Sequence, residues 1–163
     1  MDHAAGVAAG ALTATRPRRT PRRSTSGTPR GSSGPVTYLD TSVAIAHLLA
    51  EDRTPPESLW QESLTASRLL EYELWTRIHA RRLGDSHGEH VRALVGRVAL
   101  LELAPLVLAR ALEPFPSPVR TLDALHLASV EFLRARGQEV RLASYDERML
   151  TAARTLGIPL FPL

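Results

Sequence analysis

Short β-prone apolar runs alternate with helical segments along residues 36–163, and this alternation limits the possible folds more than any other feature. Most of the helical segments are 10–16 residues long, which is enough to connect parallel strands through crossovers. We therefore predict an α/β chain with a three-layer α/β/α domain around a parallel sheet. The predicted strands are residues 36–39, 64–67, 98–103, 139–143 and 158–161, and the main predicted helices are residues 43–49, 68–83, 86–95, 121–136 and 146–156.

Residues 1–35 differ in composition from the rest of the chain. They carry six Arg and one acid, a net charge of +5, whereas residues 36–163 carry 14 Arg and 16 acids, a net charge of −2. Beyond Met1, their only large apolar side chains are Val7 and Leu12. Such a segment buries too little apolar surface to offset the entropy of ordering it. We predict a disordered Arg/Pro/Ser/Thr-rich tail at residues 1–35 and one folded domain at residues 36–163.

The function of the basic tail has several interpretations. A secretory signal is disfavoured, because the apolar stretch at residues 4–12 precedes the Arg cluster instead of following it. The alternatives are an organelle transit peptide, loose contact with nucleic-acid phosphates, and an extension without function that reflects a start codon assigned too far upstream.

Composition excludes several classes of chemistry. The chain has no Cys, which excludes disulfides, thiolate zinc sites and cysteine nucleophiles. No apolar run approaches the length of a membrane-spanning helix, so we expect no membrane partner. Only eight aromatic residues are present, without an aromatic–basic stripe, and the sequence therefore shows no platform for stacking RNA bases.

Four acids stand beside apolar segments, where an unpaired carboxylate is costly to bury. Asp40 and Asp146 each follow a predicted strand, whereas Glu73 and Asp123 lie on predicted helices. The carboxyl ends of parallel strands meet at one edge of a sheet, so Asp40 and Asp146 can converge. Converging carboxylates resist ionisation unless a cation holds them, and Mg²⁺ or Mn²⁺ suits oxygen ligands. The pattern favours a metal site that activates water for attack on a phosphoryl group.

Each of these acids also has a purely structural interpretation. Asp40 and Asp123 are at positions where Asp commonly caps a helix, and Asp146 fits a turn or a cap. Glu73 is four residues before Arg77, the spacing of a surface ion pair. Only the joint pattern favours a shared site.

Four motifs occur in order, at residues 38–42 (YLDTS), 67–73 (SRLLEYE), 121–128 (TLDALHLA) and 143–148 (ASYDER). Their acids are 33, 50 and 23 residues apart. Together the motifs resemble those of the PIN-domain ribonucleases, in particular the VapC-type toxins of bacterial toxin–antitoxin pairs. Residues 152–159 also resemble that family's last helix and strand, so the resemblance covers residues 36–163 and excludes the tail.

The resemblance implies a metal-dependent endoribonuclease, with Mg²⁺ or Mn²⁺ as its cofactor. Asp40, Glu73, Asp123 and Asp146 would be the catalytic acids. Asp40 and Asp123 would be the main metal ligands, with Asp146 as a further ligand. Glu73 and Asp146 would complete a second metal site or hold metal-bound water. The hydroxyl residues at positions that orient these acids would be Thr41, Ser42 and Ser144.

Two residues near the acids are ambiguous. Glu71 competes with Glu73, but side chains two residues apart on a helix point about 200° apart, and the spacing from Ser67 favours Glu73. His126, one turn beyond Asp123, either contacts the site or packs in the core among its Leu and Ala neighbours.

The resemblance also implies partners: an RNA substrate and a cognate antitoxin, in a homodimer or a toxin–antitoxin hetero-oligomer of the bacterial cytoplasm. Trp60, Leu64 and Trp75 are candidate anchors for an antitoxin helix, and the alternative is that both Trp residues are core.

Other functions are compatible with parts of the pattern. A phosphohydrolase with an aspartyl nucleophile requires Asp-x-Asp, whereas this chain has Asp40-Thr41-Ser42. A non-toxin PIN nuclease of RNA processing and a catalytically silent PIN-like interaction module also stay open, although the presence of all four acids disfavours the silent module.

Overall fold

A computed structural model describes residues 34–163 and shows an alternation of strands and helices. The elements are β1 Val36–Leu39, α1 Thr41–Leu48, a 3₁₀ helix Glu57–Gln61, β2 Ser63–Ser67, α2 Leu69–Ala80, α3 Gly84–Val95, β3 Ala99–Leu101, α4 Pro105–Ala111, α5 Thr121–Arg134, β4 Val140–Ala143 and α6 Glu147–Thr155. The tail predicted at residues 1–35 lies outside the described residues, apart from Gly34 and Pro35.

The four strands form one parallel sheet in the order β3–β2–β1–β4. Val36 of β1 is in register with Ser63 of β2 on one side and with Val140 of β4 on the other. The chain therefore adds β2 and β3 on one side of β1 and then crosses back to add β4 on the other side. In parallel sheets, a ligand crevice opens at the carboxyl ends of the strands where the strand order reverses, here between β1 and β4.

Helices cover both faces of the sheet, which confirms the predicted three-layer α/β/α fold. Successive side chains of a strand point to opposite faces, so Leu39 joins a core with α1, α2 and α3, whereas Tyr38 joins a second core with α5 and α6. Ala143 and Leu142 of β4 divide in the same way. Because side chains pack on both faces of the sheet, β1 and β4 are anchored from both sides. The ends of these strands are thereby held in place.

The strand predicted at residues 158–161 is reduced to a single bridge between Leu160 and Leu142. Leu142 donates to the Pro159 carbonyl at 2.8 Å and accepts from the Phe161 N–H at 2.8 Å. Pro159 and Pro162 have no N–H, so a longer ladder cannot form here. The prediction of a fifth full strand was therefore wrong.

The two tryptophans belong to the fold itself. Trp60 is buried in the core beneath α1 and α2, as is Leu64, and Trp75 packs partly buried against the same core. The interpretation as a core residue is therefore confirmed for Trp60, and neither Trp60 nor Leu64 is an accessible anchor. Trp75 is half-buried, and its role as an anchor stays a prediction. Among residues 34–163, no helix combines the length and the apolar character that crossing a bilayer requires.

Candidate active site

Two of the four acids lie at the carboxyl edge of the sheet, where each begins a helix. Asp40 follows β1 and caps α1, with Oδ2 accepting from the Ser42 N–H at 3.2 Å. Asp146 follows β4 and caps α6, with Oδ1 accepting from the N–H groups of Arg148 at 2.9 Å and Met149 at 3.0 Å. Each of the two acids therefore caps a helix and also lies at the shared edge of the sheet.

The other two acids reach the same place from helices. Asp123 is the third residue of α5, and its Oδ2 accepts from the Arg120 N–H at 3.1 Å, so it supports the start of the helix without being its cap. Glu73 of α2 accepts from the Thr41 hydroxyl at 2.6 Å. It makes no ion pair with Arg77, contrary to the surface-pair alternative. All four acids line one cavity of about 270 Å³, which we call the acid cavity.

The four carboxylates share one hydrogen-bonding pattern. In each, a single oxygen accepts all the hydrogen bonds, and within residues 34–163 the second oxygen accepts none. The bonded oxygens are Asp40 Oδ2, Glu73 Oε2, Asp123 Oδ2 and Asp146 Oδ1. Protein donors thus hold each carboxylate in place and leave one oxygen of each without a hydrogen bond inside this part of the chain.

Hydroxyl groups hold Asp40 especially firmly. The hydroxyls of Ser42 and Ser144 both donate to its Oδ2, that of Ser144 at 2.8 Å. Each hydroxyl also accepts a backbone N–H, from Tyr145 at 2.9 Å and from Asp146 at 3.0 Å respectively. Asp40 is therefore linked to the loop after β4 through two serine side chains, both at positions to which the resemblance assigned an orienting role.

His126 is buried and also contacts the acids. Only 1% of the residue is exposed, and its Nε2 lies 2.8 Å from Glu73 Oε2 and 3.9 Å from Asp40 Oδ1. Its Nδ1 is 3.0 Å from the Tyr38 hydroxyl, which accepts from the Ser67 N–H at 3.0 Å. His126 is therefore a buried core residue and at the same time contacts the acids. The only signal in the sequence was a histidine one turn after Asp123 on an apolar helix.

The electrostatics of this contact favour an ion pair. Burial by itself lowers the pKa of His126, but Tyr38, Glu73 and Asp40 raise it to about 10. Burial by itself raises the pKa of Glu73, but hydrogen bonds from His126 and Thr41 outweigh burial and lower it. A charged imidazole therefore neutralises one carboxylate of the cluster.

The remaining carboxylates repel one another. Burial raises the pKa of Asp123, the Arg120 N–H partly offsets this, and the charges of Asp146 and Asp40 raise the pKa further. A divalent cation bound by oxygen ligands would relieve this repulsion. No three His, Asp or Glu side chains of residues 34–163 already stand as a metal cage, so the carboxylates converge on the cavity without being closed around an ion.

Glu71 lies outside the cluster. It pairs with Arg68 at 2.9 Å, and Arg68 also pairs with Glu102 at 2.6 Å. The position of Glu71 two residues before Glu73 accounts for this, because the two side chains leave the helix in nearly opposite directions.

Comparison with known proteins identifies related chains. The family model described as PIN domain matches residues 37–155. The chain is 29% identical over 127 residues to Ribonuclease VapC47 of Mycobacterium tuberculosis strain CDC 1551 / Oshkosh, which covers 74% of this chain and 91% of that protein. It is 40% identical over 76 residues to Ribonuclease VapC46 of Mycobacterium tuberculosis strain ATCC 25618 / H37Rv, covering 46% of this chain and 56% of that protein.

A solved structure has a similar fold. It is described as a toxin-antitoxin complex from Klebsiella pneumoniae, and its matching chain superposes with a TM-score of 0.50 at 13% identity. The match covers 70% of this chain and 89% of the other. At this identity the likeness concerns the fold alone.

Proposed function

The chain belongs to the PIN-domain family, and from this premise we propose that it is a metal-dependent endoribonuclease that acts as the toxin of a bacterial toxin–antitoxin pair. One observation carries the nuclease proposal: four carboxylates line one cavity, and each has one oxygen held by protein donors and one that accepts no hydrogen bond from residues 34–163. The names of the curated relatives, both of them ribonucleases, favour RNA as the substrate.

The donor set suits Mg²⁺ or Mn²⁺. Asp40, Asp123 and Asp146 would hold the cation, and Glu73 would complete the site, through the carboxylate oxygens that accept no hydrogen bond within the described part of the chain. When bound, such a cation polarises a phosphoryl oxygen and lowers the pKa of water.

The chain's own residues prepare the site. Ser42 and Ser144 hold Asp40 by one oxygen, so the carboxylate keeps its orientation without a ligand. Thr41 and His126 do the same for Glu73, and they keep it ionised by lowering its pKa. Glu73 Oε1 accepts no hydrogen bond from residues 34–163 and is then available to accept one from water.

Two arginine side chains line the acid cavity with the acids. Arg77 comes from α2 and Arg120 from the residue before α5. A guanidinium group attracts and orients phosphate, so these residues offset the repulsion between an acidic cluster and an RNA backbone.

The test of the nuclease is cleavage of end-labelled RNA by the purified full chain with Mn²⁺ or Mg²⁺. We expect cleavage by the wild type, and a loss of at least about a hundredfold in Asp40→Asn with an unchanged circular dichroism spectrum, because a ligand matters at least as much as its supporting residues. Asp85→Asn, which changes an exposed acid at the start of α3, should keep full activity. Cleavage that persists in excess EDTA would overturn the metal-dependent mechanism.

The toxin role has a separate test. A ribonuclease in the bacterial cytoplasm damages its own cell, so expression of this chain alone should slow growth, and co-expression of the protein encoded by the neighbouring gene should restore it. Asp40→Asn should be harmless and should still bind that neighbour. If the wild type cleaves RNA in vitro but is tolerated at high soluble expression, the toxin role fails and an RNA-processing nuclease is the better assignment.

A further inference from the structure

The acid cavity continues into a longer groove on one side. It shares Ser42 and Arg77 with a second cavity of about 640 Å³, which Arg53 and Tyr145 also line. That cavity in turn shares Arg53 and Tyr145 with a third, of about 610 Å³, which Arg154 lines. We call the surface formed by these five residues the Tyr145 groove.

Tyr145 is tied directly to the catalytic motif. The Ser42 hydroxyl donates to Asp40 and accepts from the Tyr145 N–H at 2.9 Å, so a single side chain sets the spacing between the acid and the tyrosine. The ring packs partly buried against the core, and the guanidinium of Arg53 lies 5.6 Å from the ring centre. Arg53 also donates to the Tyr145 carbonyl at 3.3 Å. The ring is therefore held at a fixed distance from the acid cavity.

Cations follow the groove at intervals. Arg77, Arg53 and Arg154 are exposed and line the acid cavity, the second cavity and the third cavity in succession. The groove also contains acids, but Glu51 lies 3.8 Å from Arg81 and its charge is partly offset by that pair.

The remaining acids on these walls are Asp52 in the second cavity and Glu147 in the third. An aromatic face flanked by guanidinium groups is the arrangement on which single-stranded nucleic acid stacks while its phosphates are bound.

Another cavity that adjoins the acid cavity has a different character. It has a volume of about 510 Å³, shares Arg120 and Thr121 with the acid cavity, and its wall includes the exposed side chains of Leu108 and Leu112. Arg120 is the only cation that lines that cavity in residues 34–163, and Glu113 lines it as well. Phosphates are therefore better accommodated on the Tyr145 side.

We propose that the Tyr145 groove binds the RNA strand next to the bond that is cut. Arg77 contacts a phosphate beside the acid cavity, one base stacks on the Tyr145 ring, and Arg53 and Arg154 contact the phosphates that follow. The proposal rests on the proposed ribonuclease function and adds to it the path of the substrate. It also assigns to this chain a stacking platform that its sequence does not display, because the contributing residues are far apart along the chain.

The test uses fluorescence anisotropy to measure the binding of end-labelled oligouridylate to the full chain. The chain carries Asp40→Asn, which prevents cleavage. In this background Tyr145→Leu should weaken binding about tenfold, because it removes one stacked base, while Tyr145→Phe should bind like the parent. Arg53→Gln and Arg154→Gln should each reduce the slope of log affinity against log salt by about 0.7, the value for one phosphate contact with a single strand.

Matched controls separate these effects from general losses. Tyr72→Leu removes an aromatic ring that is exposed on α2 and lines none of the three cavities. Arg136→Gln removes a positive charge beyond the carboxyl end of α5, about 20 Å from the site by the length of that helix. Both should bind RNA like the parent, and thermal melting should show that every variant is folded.

The outcomes are distinguishable. Unchanged RNA affinity in folded Tyr145→Leu, Arg53→Gln and Arg154→Gln would overturn the proposal that the Tyr145 groove binds RNA. The proposed nuclease function would still hold if the wild type cleaves RNA. If the variants no longer bind the protein encoded by the neighbouring gene but still bind RNA with unchanged affinity, the groove would not be an RNA site. It would instead be assigned to a protein partner. A wild type that does not cleave RNA with Mn²⁺ would overturn the proposed function, and this proposal with it.

Discussion

His126 Nε2 lies 2.8 Å from Glu73 Oε2, although 53 residues separate the two in sequence. The contact joins α5 to α2 at the carboxyl edge of the sheet, and the other ring nitrogen reaches Tyr38 of β1 at 3.0 Å. Three elements thus meet around one buried imidazole. Because Thr41 approaches the same Glu73 oxygen, the carboxylate is held from both sides.

His126 is therefore expected to position Glu73. His126→Leu should lower kcat for RNA cleavage about 10–100-fold, the usual cost of losing a partner that orients a site carboxylate, with little change in RNA affinity. It should also lower the free energy of unfolding by ~1–3 kcal/mol, because Tyr38 and Glu73 lose a buried partner. His126→Gln, which keeps a donor, should recover part of both. The measurements are steady-state RNA cleavage, which gives kcat, RNA binding by anisotropy, and urea unfolding.

The control for this prediction is His79→Leu. His79 is exposed on the same helix as Glu73 and should be neutral for cleavage. Wild-type kcat in His126→Leu would show that the imidazole is a core residue without influence on the site.

The stability of the metal-free protein should depend on pH through the same pair. The pKa of His126 is raised from 6.5 to about 10, so its contribution to stability is complete below pH 6.5 and is lost as the pH rises towards 10. The pKa of Glu73 is lowered from 4.5, so its contribution is complete above pH 4.5 and is lost as the pH falls through the folded-state pKa. The contribution of the pair is therefore greatest between pH 4.5 and 6.5.

Urea unfolding in EDTA at a series of pH values would measure this dependence. The alkaline loss should disappear in His126→Gln and persist in His90→Gln, which changes an exposed histidine on α3. An alkaline loss of equal size in both variants would assign it to other groups.

Asp123→Asn should stabilise the metal-free protein while abolishing cleavage. Burial and the charges of Asp146 and Asp40 raise the pKa of Asp123, so its ionised form opposes folding at neutral pH. An asparagine oxygen can still accept from the Arg120 N–H. Calorimetry should therefore show a higher Tm in EDTA and a smaller increase in Tm when Mn²⁺ is added. A lower Tm in EDTA would mean that the hydrogen bond outweighs the repulsion.

Deletion of residues 1–35 should leave the free energy of unfolding unchanged to within about 0.5 kcal/mol. The segment has few large apolar side chains to contribute to a core. If its six Arg residues contact RNA, the deletion should weaken RNA binding and flatten its salt dependence, as measured by anisotropy at several ionic strengths. A clear loss of stability would contradict the prediction made from composition.

Much of the fold could be predicted because its signals are local. Apolar runs, a Gly after a helix and acids after strands are properties of neighbouring residues, and they were enough to predict the α/β order and the meeting of Asp40 with Asp146. The resemblance of the four motifs to PIN-domain ribonucleases was confirmed for the family, whereas the catalytic and metal roles of the acids stay predictions. The error at residues 158–161 had a local cause as well, since the prolines there remove the donors that a longer strand needs.

Periodicity along the chain was sufficient to predict the layers of the domain. The resemblance of the four motifs was sufficient to recognise the family and to select the four acids that line the acid cavity. Three relationships became visible only in the folded chain: His126 bonds Glu73, each carboxylate keeps one oxygen free of hydrogen bonds within the described residues, and Arg53 contacts Tyr145 in the cavity next to the acids. These relationships depend on distances of a few ångströms between residues tens of positions apart. Such distances are set by how the helices pack on the two faces of the sheet, and no local pattern encodes them.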